Sequence, residues 1–257
     1  MDFGMPTLIE FSSLDDNIAL CRELGLKFIE LNQNLPDYQP ERLRDAIRCI
    51  PGGLYATVHL DENLNPLDFN SAVAEAWTQT ALSTVQIARE EGVPVVNLHF
   101  PQGVYFTLLG EKRYLFDVYW NAVREKLLRF RDRMTDCADF VQICVENTEF
   151  GRFRHLPDAL DLLLESPAFS LTYDCGHDYT DGCRAKDFYG ERRDRLTHLH
   201  LHDSTAKSCH LALGTGELDY ETLLDWASPE RAVLEVKTAQ GLRESVEELY
   251  RKGILHG

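Results

Sequence analysis

Along the 257 residues, short apolar runs alternate with longer stretches of helical periodicity, and the alternation occurs eight times. The first strand is expected near Thr7–Phe11, followed by a helix that Ser13 and Asp16 cap and Gly25 stops. Phe28–Leu31 reads as the second strand, Glu41–Cys49 as the second helix and Leu54–His59 as the third strand. A long helix from about Asn70 to Glu91 leads to a fourth strand, Val95–His99. The stretch from Phe100 to Lys112 reads as an irregular loop, long enough to be functional, with Tyr105 and Phe106 as a candidate hydrophobic lid. Helix four covers Tyr114 to Asp136, strand five Val141–Glu146, a shorter helix starts near Pro157, and strand six is Ser170–Asp174. A loop from Cys175 to Gly182 and a weak helix lead to strand seven, Leu196–Asp203. The loop Ser204–Gly216, a helix capped by Asp219, strand eight at Ala232–Val236 and a helix over Leu242–Lys252 complete the series.

Eight strand–helix units with no linker, repeat or low-complexity segment predict one domain over residues 1–257, an α/β fold whose parallel sheet closes into a (β/α)8 barrel. An open doubly wound sheet would carry a glycine-rich phosphate turn after its first strand, and none is present.

Alternate side chains of a strand point to opposite faces. In strand five Val141, Ile143 and Val145 share one face, and Gln142, Cys144 and Glu146 the other. The same split puts Thr57 and His59 opposite Ala56 and Val58, Asn97 and His99 opposite Val96 and Leu98, and Thr172 and Asp174 opposite Leu171 and Tyr173. It also puts Glu235 and Lys237 opposite Leu234 and Val236, and His198, His200 and His202 opposite Leu199 and Leu201. The apolar set should face the surrounding helices and the polar set the barrel axis. Glu30, His59, His99, Glu146, Asp174, His200 and Glu235 should then converge at the C-terminal mouth, where barrels place their chemistry. Carboxylates and imidazoles around one axial point suit Mg, Mn, Co or Zn. The alternative is a set of carboxylate–imidazole ion pairs with no cation.

Composition narrows the partners. With 26 Lys and Arg against 42 Asp and Glu the net charge is −16, so most of the surface repels nucleic acid and anionic lipid. Apolar residues, at 44%, suffice for a large core, yet no run of them would span a bilayer, and no signal peptide is evident. Seven cysteines without a C-x-x-C pair predict free thiols and a reducing cytoplasm.

Several pieces resemble the xylose isomerase-like barrels, the family of sugar isomerases and epimerases that also includes the endonuclease IV branch of DNA repair. They are Phe28-Ile29-Glu30-Leu31, Val145-Glu146-Asn147, Asp174-Cys175-Gly176-His177, His198-Leu199-His200-Leu201-His202-Asp203, Leu213-Gly214-Thr215-Gly216-Glu217 and Leu234-Glu235-Val236-Lys237. The resemblance implies a single metal held by Glu146, Asp174, His200 and Glu235, with His177 beside it on the substrate. In the endonuclease branch three zinc ions are held at positions that also include His59, His99, His177 and His210. The remaining ligand of that branch, an aspartate, falls here on Ser208, which puts a third metal in doubt; Asp203 and His202 are possible substitutes. His59, His99, His177 and His210 stand as ligands of a second metal or as contacts to substrate.

The expected activity is divalent-metal-dependent isomerisation or epimerisation of a small sugar, sugar phosphate or hydroxy-ketone. Glu146 and Glu235 would exchange the proton, and His177, Lys237 and Glu30 would bind substrate. An abasic-site phosphodiesterase is the alternative. The expected partner is a small carbohydrate, with no membrane and no nucleic acid, and the protein could be a homo-oligomer. Arg152 and Arg154 are further candidates for an anionic group on the substrate.

Overall fold

The structure is a computed structural model that describes residues 1–151 and 153–256; Arg152 lies outside the described residues. Its elements in chain order are β1 (Asp2–Pro6), α1 (Leu14–Glu23), β2 (Phe28–Asn32), α2 (Pro40–Cys49), β3 (Tyr55–His59), α3 (Ser71–Glu91) and β4 (Val95–His99). Then follow β5 (Tyr105–Leu108), β6 (Glu111–Tyr114), α4 (Leu115–Val118), α5 (Trp120–Ala138), β7 (Gln142–Glu146), α6 (Leu156–Leu164) and β8 (Phe169–Asp174). The remainder are α7 (Cys175–Thr180), α8 (Lys186–Glu191), β9 (Leu196–Leu201), β10 (Asp203–Thr205), β11 (Ser208–Leu211), α9 (Tyr220–Ala227), β12 (Arg231–Leu234) and α10 (Ala239–Arg251).

Eight of these strands pair in parallel around a closed ring in the order β1-β12-β9-β8-β7-β4-β3-β2, with the helices outside. The expected (β/α)8 barrel is therefore what the chain forms. Ile29, Leu31, Val58, Val96, Leu98, Ile143, Val145, Leu171, Leu199, Leu201 and Leu234 are buried among the helices in the main apolar core. Burial of that shell drives closure, because a strand slipped by one residue would turn its polar set into it. The predicted caps are present, since Ser13 accepts the Asp16 N–H and Asp219 accepts the Thr222 N–H; Asn70, where the long helix was expected to begin, caps it by accepting the Ala72 N–H.

Four expectations are corrected. The first strand is Asp2–Pro6, not Thr7–Phe11. Phe3 and Met5 enter the core while Gly4 faces inward, leaving a pattern too short to stand out; Leu8 to Phe11 instead leave the barrel, and Ile9 is 82% exposed. The Phe100–Lys112 loop contains an antiparallel hairpin of β5 and β6. Its two turn residues, Leu109 (φ +50) and Gly110 (φ +85), are both left-handed, as a tight hairpin requires. The loop after strand seven likewise pairs β10 with β11, and the loop after strand six contains the short helix α7.

No helix among the described residues is long and apolar enough to cross a membrane. All seven cysteines are free thiols.

Candidate metal and active site

The polar set meets at the C-terminal ends of the barrel strands. His59 ends β3, His99 ends β4, Glu146 ends β7 and Asp174 ends β8. His200 lies one residue before the end of β9, and Glu235 follows β12, where its N–H still bonds the Leu201 carbonyl at 3.0 Å. Nδ1 of His200 is 3.2 Å from Glu146 Oε2, 3.2 Å from Glu235 Oε2 and 3.8 Å from Asp174 Oδ2. Glu146 and Glu235 stand three strands apart around the ring, with His200 between them.

The neighbouring imidazoles close in from the sides. Nε2 of His59 lies 3.4 Å from Glu146 Oε2, and Nε2 of His99 lies 3.3 Å from Glu146 Oε1. His177 Nδ1 is 3.5 Å from both Glu146 Oε1 and Asp174 Oδ2. Asp174 places it there by capping α7, accepting the His177 N–H at 2.6 Å. His210, from β11, donates Nδ1–H to the Glu235 carbonyl at 3.0 Å and sets Nε2 3.3 Å from His177 Nε2.

Each candidate ligand is also held from behind. Asn97 donates to Glu146 Oε2 at 2.7 Å and accepts from Thr172 at 2.6 Å. Lys237 Nζ bonds Glu235 Oε1 at 2.9 Å. His202 Nδ1 accepts the His210 N–H at 2.8 Å, so its other nitrogen, 3.1 Å from Asp174 Oδ1, carries the hydrogen and donates. The ring fits because residue 176 is glycine: a Cβ there would lie 1.9 Å from His202 Cε1. Such outer partners orient metal ligands and raise their basicity.

The groups present fit a divalent cation. Glu146 Oε1, Glu235 Oε2 and His200 Nδ1 are buried and have no hydrogen-bond partner. Buried polar atoms are seldom left so, and Glu146, Asp174 and His200 each offer a ligand atom within 4.8 Å of the others, as do Asp174, His202 and Glu235. Three carboxylates and one imidazole are a hard-to-borderline donor set, suited to Mg, Mn, Co or Zn. Without a cation the charge balance is internal. Burial alone would raise the carboxyl of Glu146, but His99 and His200 reverse this and hold it well below the ordinary range. Glu235 behaves likewise through His200 and Lys237. Against its own burial, the carboxylates around His200 push its imidazole well above the usual value, and Asp174 and Glu146 raise His177 to about 10. His210, desolvated and less well paired, falls to about 4.

Glu30, His59, His99, Glu146, Asp174, His177, His200, His210, Glu235 and Lys237 are gathered here, with distinctions that only the structure draws. Arg154 lies against Asp117 and His155, and Arg152 is outside the described residues. Glu30 lies below the cluster, 2% exposed, with its carboxylate against His198, His200 and Thr57. Lys237 lies at the rim, tied to Glu235. Of the two substitutes for the missing aspartate ligand, His202 converges with His177 and His210, and with Asp174 and Glu235, as a possible cation ligand, while Asp203 is turned to the backbone. His202 bonds Asp174 and the His210 N–H, and Asp203 accepts the N–H groups of Ser204, Gly214, Gly216 and Leu218, fixing the turn that follows. The positioning roles of His202, Asn97 and Asn147, whose amide clamps the Asp174 backbone, were not assigned from sequence. The inward parity of Asn97 was the available signal.

Two cavities open beside the cluster. One, of about 150 Å³, is bounded by Thr7, Glu30, Asn32, His59, Glu235 and Lys237 among others. The second, of about 380 Å³, is lined by His99, Gln102, Thr148, Glu149, His177, Thr180 and Asp181.

A closed parallel barrel with a buried carboxylate–imidazole cluster at its C-terminal mouth defines the class: a (β/α)8 protein with groups that could hold a cation next to two cavities. The profile of the xylose isomerase-like TIM barrels matches residues 18–254, and the chain belongs to that family. No curated protein sequence matches it. Among solved structures it is similar to a D-tagatose 3-epimerase-like protein, with 19% identity, TM-score 0.74 and coverage of 99% of this chain and 100% of that one. It is also similar to a 3-keto-D-glucoside 4-epimerase from E. coli, at 16% identity and TM-score 0.73 over 98% and 99% of the two chains. A Thermus thermophilus protein whose crystals were soaked with ZnCl2 aligns at 21% identity and TM-score 0.70 over 98% and 99%. At these identities the likeness establishes a common fold.

Proposed function

We propose that this protein is a divalent-cation-dependent isomerase or epimerase of a small sugar, sugar phosphate or hydroxy-ketone. The observation that carries the reading is the placement of Glu146 and Glu235 on two sides of His200, each 3.2 Å from Nδ1 and each with one buried oxygen lacking a partner. A cation held by Glu146, Asp174, His200 and Glu235 would polarise adjacent carbonyl and hydroxyl oxygens of an open-chain sugar and stabilise the negative charge that develops on them. One glutamate removes the proton from the hydroxyl-bearing carbon next to the carbonyl, and the other delivers a proton from its own side. Both carboxyls are held well below their ordinary range, so the first glutamate is ready to accept, and the second delivers a proton only after taking one up from a substrate hydroxyl or from water. His177, half-way to the open cavity, orients a substrate oxygen, and Lys237 holds Glu235 in place. The epimerase neighbours support the same reading.

The test is a screen of ketoses in heavy water, with Mn2+, Co2+, Mg2+ or Zn2+ restored after chelation. Cation-dependent exchange of a carbon-bound proton, coupled to inversion or carbonyl migration, is expected. An abasic-site phosphodiesterase is favoured by one observation, the convergence of His59, His99 and Glu146 as a second possible cation site. The charge of −16 and Ser208 stand against it. Nicking of an abasic duplex at low salt, with no exchange on any ketose, would reverse the order of the two readings.

A further inference from the structure

A third cavity, of about 560 Å³, runs between α1 and α2. Leu14, Asp15 and Asn17 of α1 and Arg42, Asp45 and Ala46 of α2 form its sides. It is larger than either cavity beside the cluster, and it adjoins one of them. Leu8, Ile9 and Leu35 line both it and the 150 Å³ cavity that reaches His59, Glu235 and Lys237. These three come from the loops after β1 and β2, at the C-terminal mouth, so one rim joins the two spaces. Ile9 on that rim is 82% exposed. One exposed aliphatic side chain is ordinary on a surface. At the junction of two cavities it offers apolar contact to a ligand that extends from one into the other.

The outer wall has a definite chemistry. Phe11 and Tyr38 give it ring surface, and Ser12, Asp15, Asp37 and Asp45 give it hydroxyl and carboxylate oxygens. Its one basic residue, Arg42, is already bonded to Asp37 at 2.6 Å. A phosphate or carboxylate group entering there would meet three carboxylates and one neutralised guanidinium, which is unfavourable. A hydroxylated ring suits the wall on both counts: its hydroxyls donate to carboxylates, and its C–H face covers apolar side chains. We propose that this cavity is an outer subsite for a second sugar ring, so that the substrate is an uncharged glycosyl-ketose whose ketose end enters the inner cavity. The choice of a ketose rests on the isomerase reading above; the outer subsite does not. Contacts to the remote ring supply binding energy that raises kcat/KM at the reacting end.

The test uses the full chain with Mn2+ and compares D-fructose with trehalulose, turanose, maltulose, leucrose and isomaltulose, glucosyl-fructoses that carry the second ring at different positions. Exchange of carbon-bound protons in heavy water gives kcat/KM for each. At least one glucosyl-fructose is expected to exceed D-fructose by about tenfold or more. Ser12→Trp, from the exposed loop after β1, and Ala46→Trp, from α2, each fill the outer cavity and should cut that two-ring preference by about tenfold. The preference is a ratio measured on one preparation, so partial misfolding of a variant does not move it. No glucosyl-fructose above D-fructose, or a two-ring preference that survives both tryptophans, overturns the inference alone. If no ketose exchanges, the isomerase reading falls and calorimetry decides the subsite. A glucosyl-fructose that binds more tightly than D-fructose, with the advantage lost in Ser12→Trp, upholds it; equal or absent affinities, or an advantage kept in that variant, overturn it.

Discussion

The two ends of the barrel are built from the same strands and the same inward-facing parity, yet they are chemically opposite. At the N-terminal end Phe28 lies against Gly4 and stacks on Tyr55, with ring centroids 5.1 Å apart. Two residues further along β2 the inward position is Glu30, and the interior changes to hydroxyls, imidazoles and carboxylates. Strand β12 makes the same switch from Val233 to Glu235 past its end. Two residues of strand span only about 6.6 Å. Within that distance the interior passes from packed aromatic rings, which carry stability, to a charged pocket, where carboxylates and imidazoles balance one another's charge while several of their atoms stay unpaired. The lower end resists deformation by packing; the upper end keeps open valences, and those can do chemistry.

Substitutions should separate the two ends. The largest effect is expected at the mouth: Glu146→Gln or Glu235→Gln should lower turnover by about 10²–10⁴-fold, the range for loss of a proton-transfer group. Steady-state rates on the substrate found by the exchange screen measure this, and near-normal rates in both variants would remove the two-glutamate mechanism. Next comes a matched pair of glycines. A Cβ at Gly176 would collide with His202, the donor that holds Asp174, so Gly176→Ala should weaken Mn2+ binding by about 10–100-fold. A Cβ at Gly4 would lie 2.5 Å from the Phe28 ring, so Gly4→Ala should destabilise the fold by about 1–3 kcal/mol and leave Mn2+ affinity unchanged. Thermal melts and calorimetry on both variants read the contrast. If Gly4→Ala altered cation binding as much as Gly176→Ala, the two ends would not be independent.

The smallest effect lies outside the barrel altogether. Glu75 on α3 pairs with Arg133 on α5 at 2.8 Å, and its hydrogen bonds to Arg133 and Gln79 lower its pKa to about 2. A carboxylate depressed in the folded state adds stability above the unfolded value near about 4.3 and loses it as pH falls through the folded one. Glu75→Gln should therefore lower the melting temperature slightly at pH 7, and the gap to wild type should close as pH falls toward 2. Both side chains are exposed, so the shift should be far below that of Gly4→Ala.

Much of this organisation was legible beforehand. The bounds of β4 were those expected, and every inward position that alternation assigned a site role is in the cluster. Two kinds of feature were not legible. Short local structures whose signal is one or two residues escaped notice, such as β1, whose inward residue is a glycine, and the hairpin turned by Leu109 and Gly110. Contacts between distant residues also escaped. Lys237 was open to solvent or substrate by parity, and only the folded chain ties it to Glu235. Glu30 was expected on substrate, and it lies beneath His200.

The sequence alone determined which side chains face the barrel axis, because the two-residue period of a strand is local and burial of the apolar face permits one register. It also determined the donor types available at the mouth. The tertiary structure decided which nitrogen of each imidazole meets which carboxylate. Glu30 and His198 are 168 residues apart, and their 3.0 Å approach exists only once β2 and β9 are fixed on opposite flanks of β1 and β12 in the closed ring. Ring orientation depends on every neighbour at once, and no pattern along the chain encodes it.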